Sequence, residues 1–64
     1  MNVYVERSDE HKTLRFSGTA QELLGRLEIN PQTVLVLKND VLITEDETLT
    51  DSDEIKIITV VSGG

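Results

Sequence analysis

The chain has 64 residues, twelve Asp and Glu against six Lys and Arg for a formal net charge of −6, and no cysteine. A chain this short forms one small domain that buries only about 60% of its unfolded surface, and without cysteine neither a disulfide framework nor a thiolate zinc cage reinforces the core. The acidic balance argues against direct nucleic-acid binding. The start "MNVYVERSDE" lacks the pattern of a secretory signal, and no run approaches the roughly 18 apolar residues of a membrane span. A soluble, cytoplasmic, monomeric protein is therefore expected.

"NVYVER", residues 2–7, alternates Val3 and Val5 on one side with Asn2, Tyr4 and Glu6 on the other, the pattern of a half-buried strand. "SDEHK" then reads as a turn. "TLRFS", residues 13–17, alternates again with Leu14 and Phe16 inward, which predicts an antiparallel hairpin. In "TAQE", residues 19–22, Thr19 is placed to cap a helix and Glu22 to reach back to it, a capping box. Ala20, Leu23, Leu24 and Leu27 share a helical face. The helix is expected over about Ala20 to Leu27, stopped before the Asn-Pro pair at 30 and 31 and weakened by Gly25.

"TVLVLK", residues 33–38, reads as a strand, Asn39-Asp40 as a tight turn that tolerates positive φ, and "VLI", residues 41–43, as its partner. An acidic loop anchored by Leu49 leads to "IKIITVV", residues 55–61, the last and most apolar strand. First and last strands are expected side by side and parallel in the sheet centre, with the helix over one face. That order is the α+β β-grasp arrangement: a mixed sheet of four or five strands in a domain spanning 1–61, followed by a flexible Ser-Gly-Gly tail at 62–64.

One sheet face packs on the helix and the other meets water. Lys38 and Lys56 are read as marking the wet side, which sends Leu35, Leu37, Ile55 and Ile57 inward. The expected core is Val3, Val5, Leu14, Phe16, Leu23, Leu27, Leu35, Leu37, Leu42, Leu49, Ile55 and Ile57. Tyr4, Val36, Ile58 and Val60 are left as apolar groups on the open face, a candidate partner-binding surface. The alternative is that scattered exposed apolar residues are ordinary on strands.

The chemistry-bearing candidates are sparse. His11 lies among Asp9, Glu10 and Lys12 and reads as a solvated turn residue. "EDETLTDSDE", residues 45–54, lacks the glycine and terminal spacing of a calcium loop, so it reads as a solvated loop offering negative charge to a basic partner. No catalytic residue, metal site or cofactor site is expected. The carboxyl end differs: Gly63 and Gly64 carry a carboxylate beyond a strand, and an extended chain without Cβ atoms threads a narrow channel and leaves its last carbonyl open to attack.

"DSDEIKIITVVSGG", residues 51–64, resembles the Asp-Gly-Asp-(Glu)-apolar strand and diglycine ending of the ubiquitin-like sulfur carriers of the ThiS/MoaD type. That family includes small archaeal modifier proteins and a bacterial carrier used in tRNA thiolation. Residues 29–49 resemble the middle of its short members, and Ser52 stands where the family commonly has glycine. The resemblance implies that the chain is a protein co-substrate and not an enzyme. An ATP-dependent, ubiquitin-activating-like enzyme would adenylate Gly64. A persulfide on a sulfurtransferase, a cysteine desulfurase or the activating enzyme would convert it to a thiocarboxylate. An acceptor synthase or tRNA thiolase would then take the sulfur for thiamine thiazole, molybdopterin or thiolated tRNA. Two alternatives remain open at this point: a modifier forming isopeptide bonds to lysines through Gly64, and a passive β-grasp interaction module.

Overall fold

The computed structural model of the protein describes residues 1–60. Alternation along Asn2–Val5 forms β1, which turns at once through a 3-10 segment, Glu6–Ser8, closed by Asp9 with φ at 51°. Because that turn is so tight, the return strand β2 starts at Glu10 and ends at Thr13, earlier than the 13–17 expected from the leucine–phenylalanine alternation. Val3 pairs with Lys12 and Tyr4 with His11, so His11 lies on a strand and not in the turn. Leu14 and Phe16 follow β2 as half-buried loop residues packed against the core.

A two-residue strand β3, Gly18–Thr19, leads into α1, Ala20–Arg26. Both halves of the capping box are present. Thr19 Oγ1 accepts from the Glu22 N–H at 3.2 Å, and the Glu22 carboxylate accepts from the Thr19 N–H at 3.0 Å. That backbone bond holds the Glu22 carboxyl below its usual range. Gly18, at φ 154°, allows the close approach: a Cβ there would meet Glu22 Oε1 at 3.0 Å and the Phe16 ring at 3.1 Å.

After a second 3-10 turn, Pro31–Thr33, come β4, Val34–Lys38, and β5, Val41–Ile43. Asn39 and Asp40 between them both take positive φ, 50° and 68°, the two-residue hairpin geometry that suits Asn and Asp. β6, Thr48–Leu49, pairs with β3 in a small second sheet, and β7, Glu54–Thr59, closes the main one. The main sheet runs in the order β2-β1-β7-β4-β5, with β1 and β7 parallel at its centre. This is the β-grasp fold expected from the sequence.

The core lies between α1 and one face of this sheet. Ala20, Leu23 and Leu24 of the helix meet Val3, Val36, Ile55 and Ile57 of the strands, with Met1 and Leu49 closing the ends. Val36 is therefore buried, at 5% exposure, and the expectation that it faces solvent is corrected. Residues paired across strands share a face, and β7 decides which one: Val36 lies opposite Ile57, Leu35 opposite Ile58 and Leu37 opposite Lys56. Leu35 and Leu37 turn outward, and Leu42, paired with Leu37, follows them, which removes all three from the expected core. Lys38 does not mark the wet side. It stands on the covered side at the strand's end, where its long stem carries Nζ to the Thr48 carbonyl at 3.2 Å and near Glu47 at 3.6 Å and Asp53 at 3.9 Å.

Candidate functional site

The uncovered face of the main sheet is organised by strand register. His11, Tyr4, Lys56, Leu37 and Leu42 form one line across β2, β1, β7, β4 and β5. Ile58 and Leu35 lie side by side in the next line. The line is aromatic at the β2 end and apolar at the β5 end. Tyr4 stacks on His11 with ring centroids 4.6 Å apart and donates its hydroxyl to Asp9 at 2.9 Å; that bond raises the Tyr4 pKa. Lys56 is the exposed cation between the two halves.

Of the four open-face residues expected from the sequence, Tyr4 and Ile58 lie on this face, half-buried, and Val36 lies on the other. Val60, two residues beyond Ile58, is 50% exposed, and its N–H donates to the Thr33 carbonyl at 2.9 Å, fastening the chain to the 3-10 turn just before β4. Leu35, Leu37 and Leu42 belong to this face and were missed. The signal that finds them is the pairing of β4 with β7: once Lys56 is outward, its partner Leu37 is outward too. Ser62, Gly63 and Gly64 lie outside the described residues.

At the opposite end of β7 the Thr50–Asp53 turn fixes where the strand begins. Asp53 is 8% exposed. It accepts from the Thr50 N–H at 2.8 Å and from Asn39 Nδ2 at 3.2 Å, while Asn39 Oδ1 accepts from the Glu54 N–H at 3.0 Å. The Thr50 N–H is the main cause that holds the Asp53 carboxyl below its usual range, with Asn39 and Lys38 assisting and burial opposing. One carboxylate thus ties the acidic loop, the β4–β5 turn and the start of β7 together.

Among the described residues no group of three His, Cys, Asp or Glu side chains is placed to hold a metal, and no helix is long and apolar enough to cross a membrane. The ThiS family model matches residues 3–64. The chain belongs to the ThiS family. Over 62 residues it is 29% identical to the sulfur carrier protein TtuB of Thermus thermophilus, spanning 94% of this chain and 95% of TtuB. An uncharacterized protein of Archaeoglobus fulgidus is 40% identical over 43 residues, 67% of this chain and 63% of that one. The crystal structure of the thiamine biosynthesis protein ThiS from Geobacter metallireducens covers 100% of both chains with a TM-score of 0.66 at 24% identity, a likeness of fold. The sulfur-carrier role that the sequence leads one to expect agrees with this ThiS-family membership and with TtuB.

Proposed function

We propose that this sulfur carrier bears its sulfur on the Gly64 carboxylate, with catalysis belonging to its partners. The observation that carries this reading is the extent of the family match, which reaches residue 64 and so includes the diglycine end. A carboxylate oxygen of Gly64 attacks the α-phosphorus of ATP in an activating enzyme and pyrophosphate leaves. A persulfide sulfur then attacks the acyl carbon and AMP leaves. A second thiol breaks the sulfur–sulfur bond and frees the thiocarboxylate, whose sulfur is the nucleophile in an acceptor enzyme. Gly63 and Gly64 keep the path to the acyl carbon clear of side chains.

In this reading residues 1–61 form the folded domain and 62–64 a flexible tail, and the protein works in the cytoplasm, where a cysteine-free chain is at home. The activating enzyme docks on the open face, on Leu35, Leu37, Ile58 and Val60, with Tyr4 at the margin. The acidic loop adds mainly to the association rate.

ATP–pyrophosphate exchange with the cognate activating enzyme tests the terminal chemistry. Deleting Gly64, or adding one residue after it, is expected to abolish exchange while leaving the fold untouched; exchange equal to wild type in the deletion variant would overturn the proposal. Mass spectrometry of the C-terminal peptide from native cells is expected to show oxygen replaced by sulfur. Gly-Gly remnants on foreign lysines, with no sulfur exchange, would instead assign the chain to protein modification.

A further inference from the structure

The two margins of the main sheet are built differently. β2 is Glu10-His11-Lys12-Thr13, exposed throughout and charged with both signs, the kind of edge that resists strand pairing. β5 is Val41-Leu42-Ile43, with Val41 62% and Leu42 58% exposed and neither charge nor proline to guard it. Among the described residues no strand lies on its outer side.

The main chain at that edge is set up to bond. In a two-residue hairpin the closing pair, here Lys38 and Val41, is hydrogen-bonded. Bonding alternates along an antiparallel ladder, so Val41 and Ile43 turn their main-chain groups toward β4 and Leu42 turns its N–H and C=O outward. The Leu42 side chain meanwhile continues the apolar line from Leu37. An added strand thus gains main-chain hydrogen bonds and an extension of the apolar half of the open face.

Charge selects the occupant. Asp40 precedes the edge, and Glu45, Asp46 and Glu47 follow it, all exposed, with no Lys or Arg between residues 39 and 54. A second copy paired antiparallel about Leu42 would bring Asp40 of each chain toward Glu45 of the other, between two chains of net charge −6. We propose that β5 receives an extended strand from a partner protein, apolar at alternate positions and flanked by Lys or Arg. This is addition of a strand to a sheet edge, with specificity set by the acidic flanks.

The test is a titration of the isotope-labelled full-length chain with a synthetic peptide of alternating Thr and Val ending in paired lysines, followed by NMR. The same peptide ending in paired glutamates is the control. The lysine peptide is expected to shift the amides of residues 41–44 and to protect the Leu42 amide from exchange, leaving β2 unmoved. The glutamate peptide is expected to bind at least about tenfold more weakly. Leu42→Pro removes the outward N–H while keeping those that face β4, and is expected to weaken binding about tenfold. Should that variant unfold, Leu42→Lys places a repelling charge on the same edge and is expected to weaken binding similarly. Shifts confined to β2, no shifts at all, or equal binding of the two peptides would overturn the proposal. So would concentration-dependent protection of Leu42 without peptide, which would give the edge to a second copy. No activating enzyme enters the titration, so its failure leaves the sulfur-carrier reading standing, and the converse holds.

Discussion

The covered and open faces of the sheet use the same kinds of residue to different ends. On the covered side, valine and isoleucine reach near-complete burial: Val3 and Ile57 each keep 1% of their exposure. On the open side, the leucines of β4 and β5 stay in water, Leu35 at 42% and Leu42 at 58%. Hydropathy does not separate the two sets, since leucine and valine are both ordinary core residues. What separates them is cover. One seven-residue helix shields only one face, and the apolar surface it leaves uncovered is the one proposed above as a docking surface.

The sharpest way to break this comparison is to truncate one leucine on each side. Leu23→Ala empties a fully buried site under the helix and is expected to cost about 2–5 kcal/mol, a large part of the stability of a domain this size. Leu42→Ala removes a side chain that is already mostly wet and is expected to change stability by no more than about 0.5 kcal/mol. Urea denaturation of both variants reads the contrast directly. Similar losses in the two would mean that the open face is covered in solution.

Next in size is the polar part of the covered side. Asp53 is the one buried charged residue among those described, and Asp53→Ala would strip the Thr50 N–H and the Asn39 amide of their acceptor, at an expected cost of about 1–3 kcal/mol. Because the folded-state pKa of Asp53 lies below the 3.8 of a free aspartate, its contribution is complete above that value and is lost as pH falls through the lower, folded pKa. Wild type is therefore expected to lose stability below about pH 3.8 more steeply than Asp53→Ala does. Parallel acid-denaturation curves would show that the turn is held by other groups.

The architecture was legible where local chemistry and global fold agree. The capping box at Thr19 and Glu22, the turn residues Asn39 and Asp40, and the apolar strands β1 and β7 each carry their own signal, and together they give the element order and the parallel centre. β4 carries no such signal. "VLVLK" is apolar at every position but the last, so its alternation has no polar phase, and Lys38, the one charge, is reached from the covered side by its long stem. The face of β4 is fixed by tertiary pairing with β7, which no window of five residues contains. β2 was misplaced for a related reason: Leu14 and Phe16 reach the core from a loop, and their spacing imitates a strand. The candidate site divides the same way. The glycine end is conspicuous in the sequence, whereas Leu35, Leu37 and Leu42 join the open face only through register.

A charge placed on the open face sharpens the comparison from the functional side. Ile58→Asp is expected to leave the fold intact with a stability loss of about 1 kcal/mol. In the activating enzyme's assay it is expected to raise KM about tenfold with kcat little changed, the mark of lost docking and not of lost chemistry. Unaltered kinetics would remove the open face from the docking surface. A fall in kcat alone would place Ile58 in the reacting geometry and not in binding.

A small effect of the opposite sign is expected on the outer surface of α1, the side of the helix turned away from the sheet. Gly25 is exposed in the helix interior, and a Cβ built on it meets nothing within 4 Å. Alanine there adds no clash and removes backbone freedom from the unfolded chain, so Gly25→Ala is expected to stabilise the protein by roughly 0.5–1 kcal/mol. For a domain of this length that raises the melting temperature by about 2–8 °C. The direction matters more than the size. A gain shows that this surface is bare in the free protein, as the open face is. A loss in dilute solution would mean that another surface packs against α1, and the division into one covered and one open side would have to be redrawn around the helix.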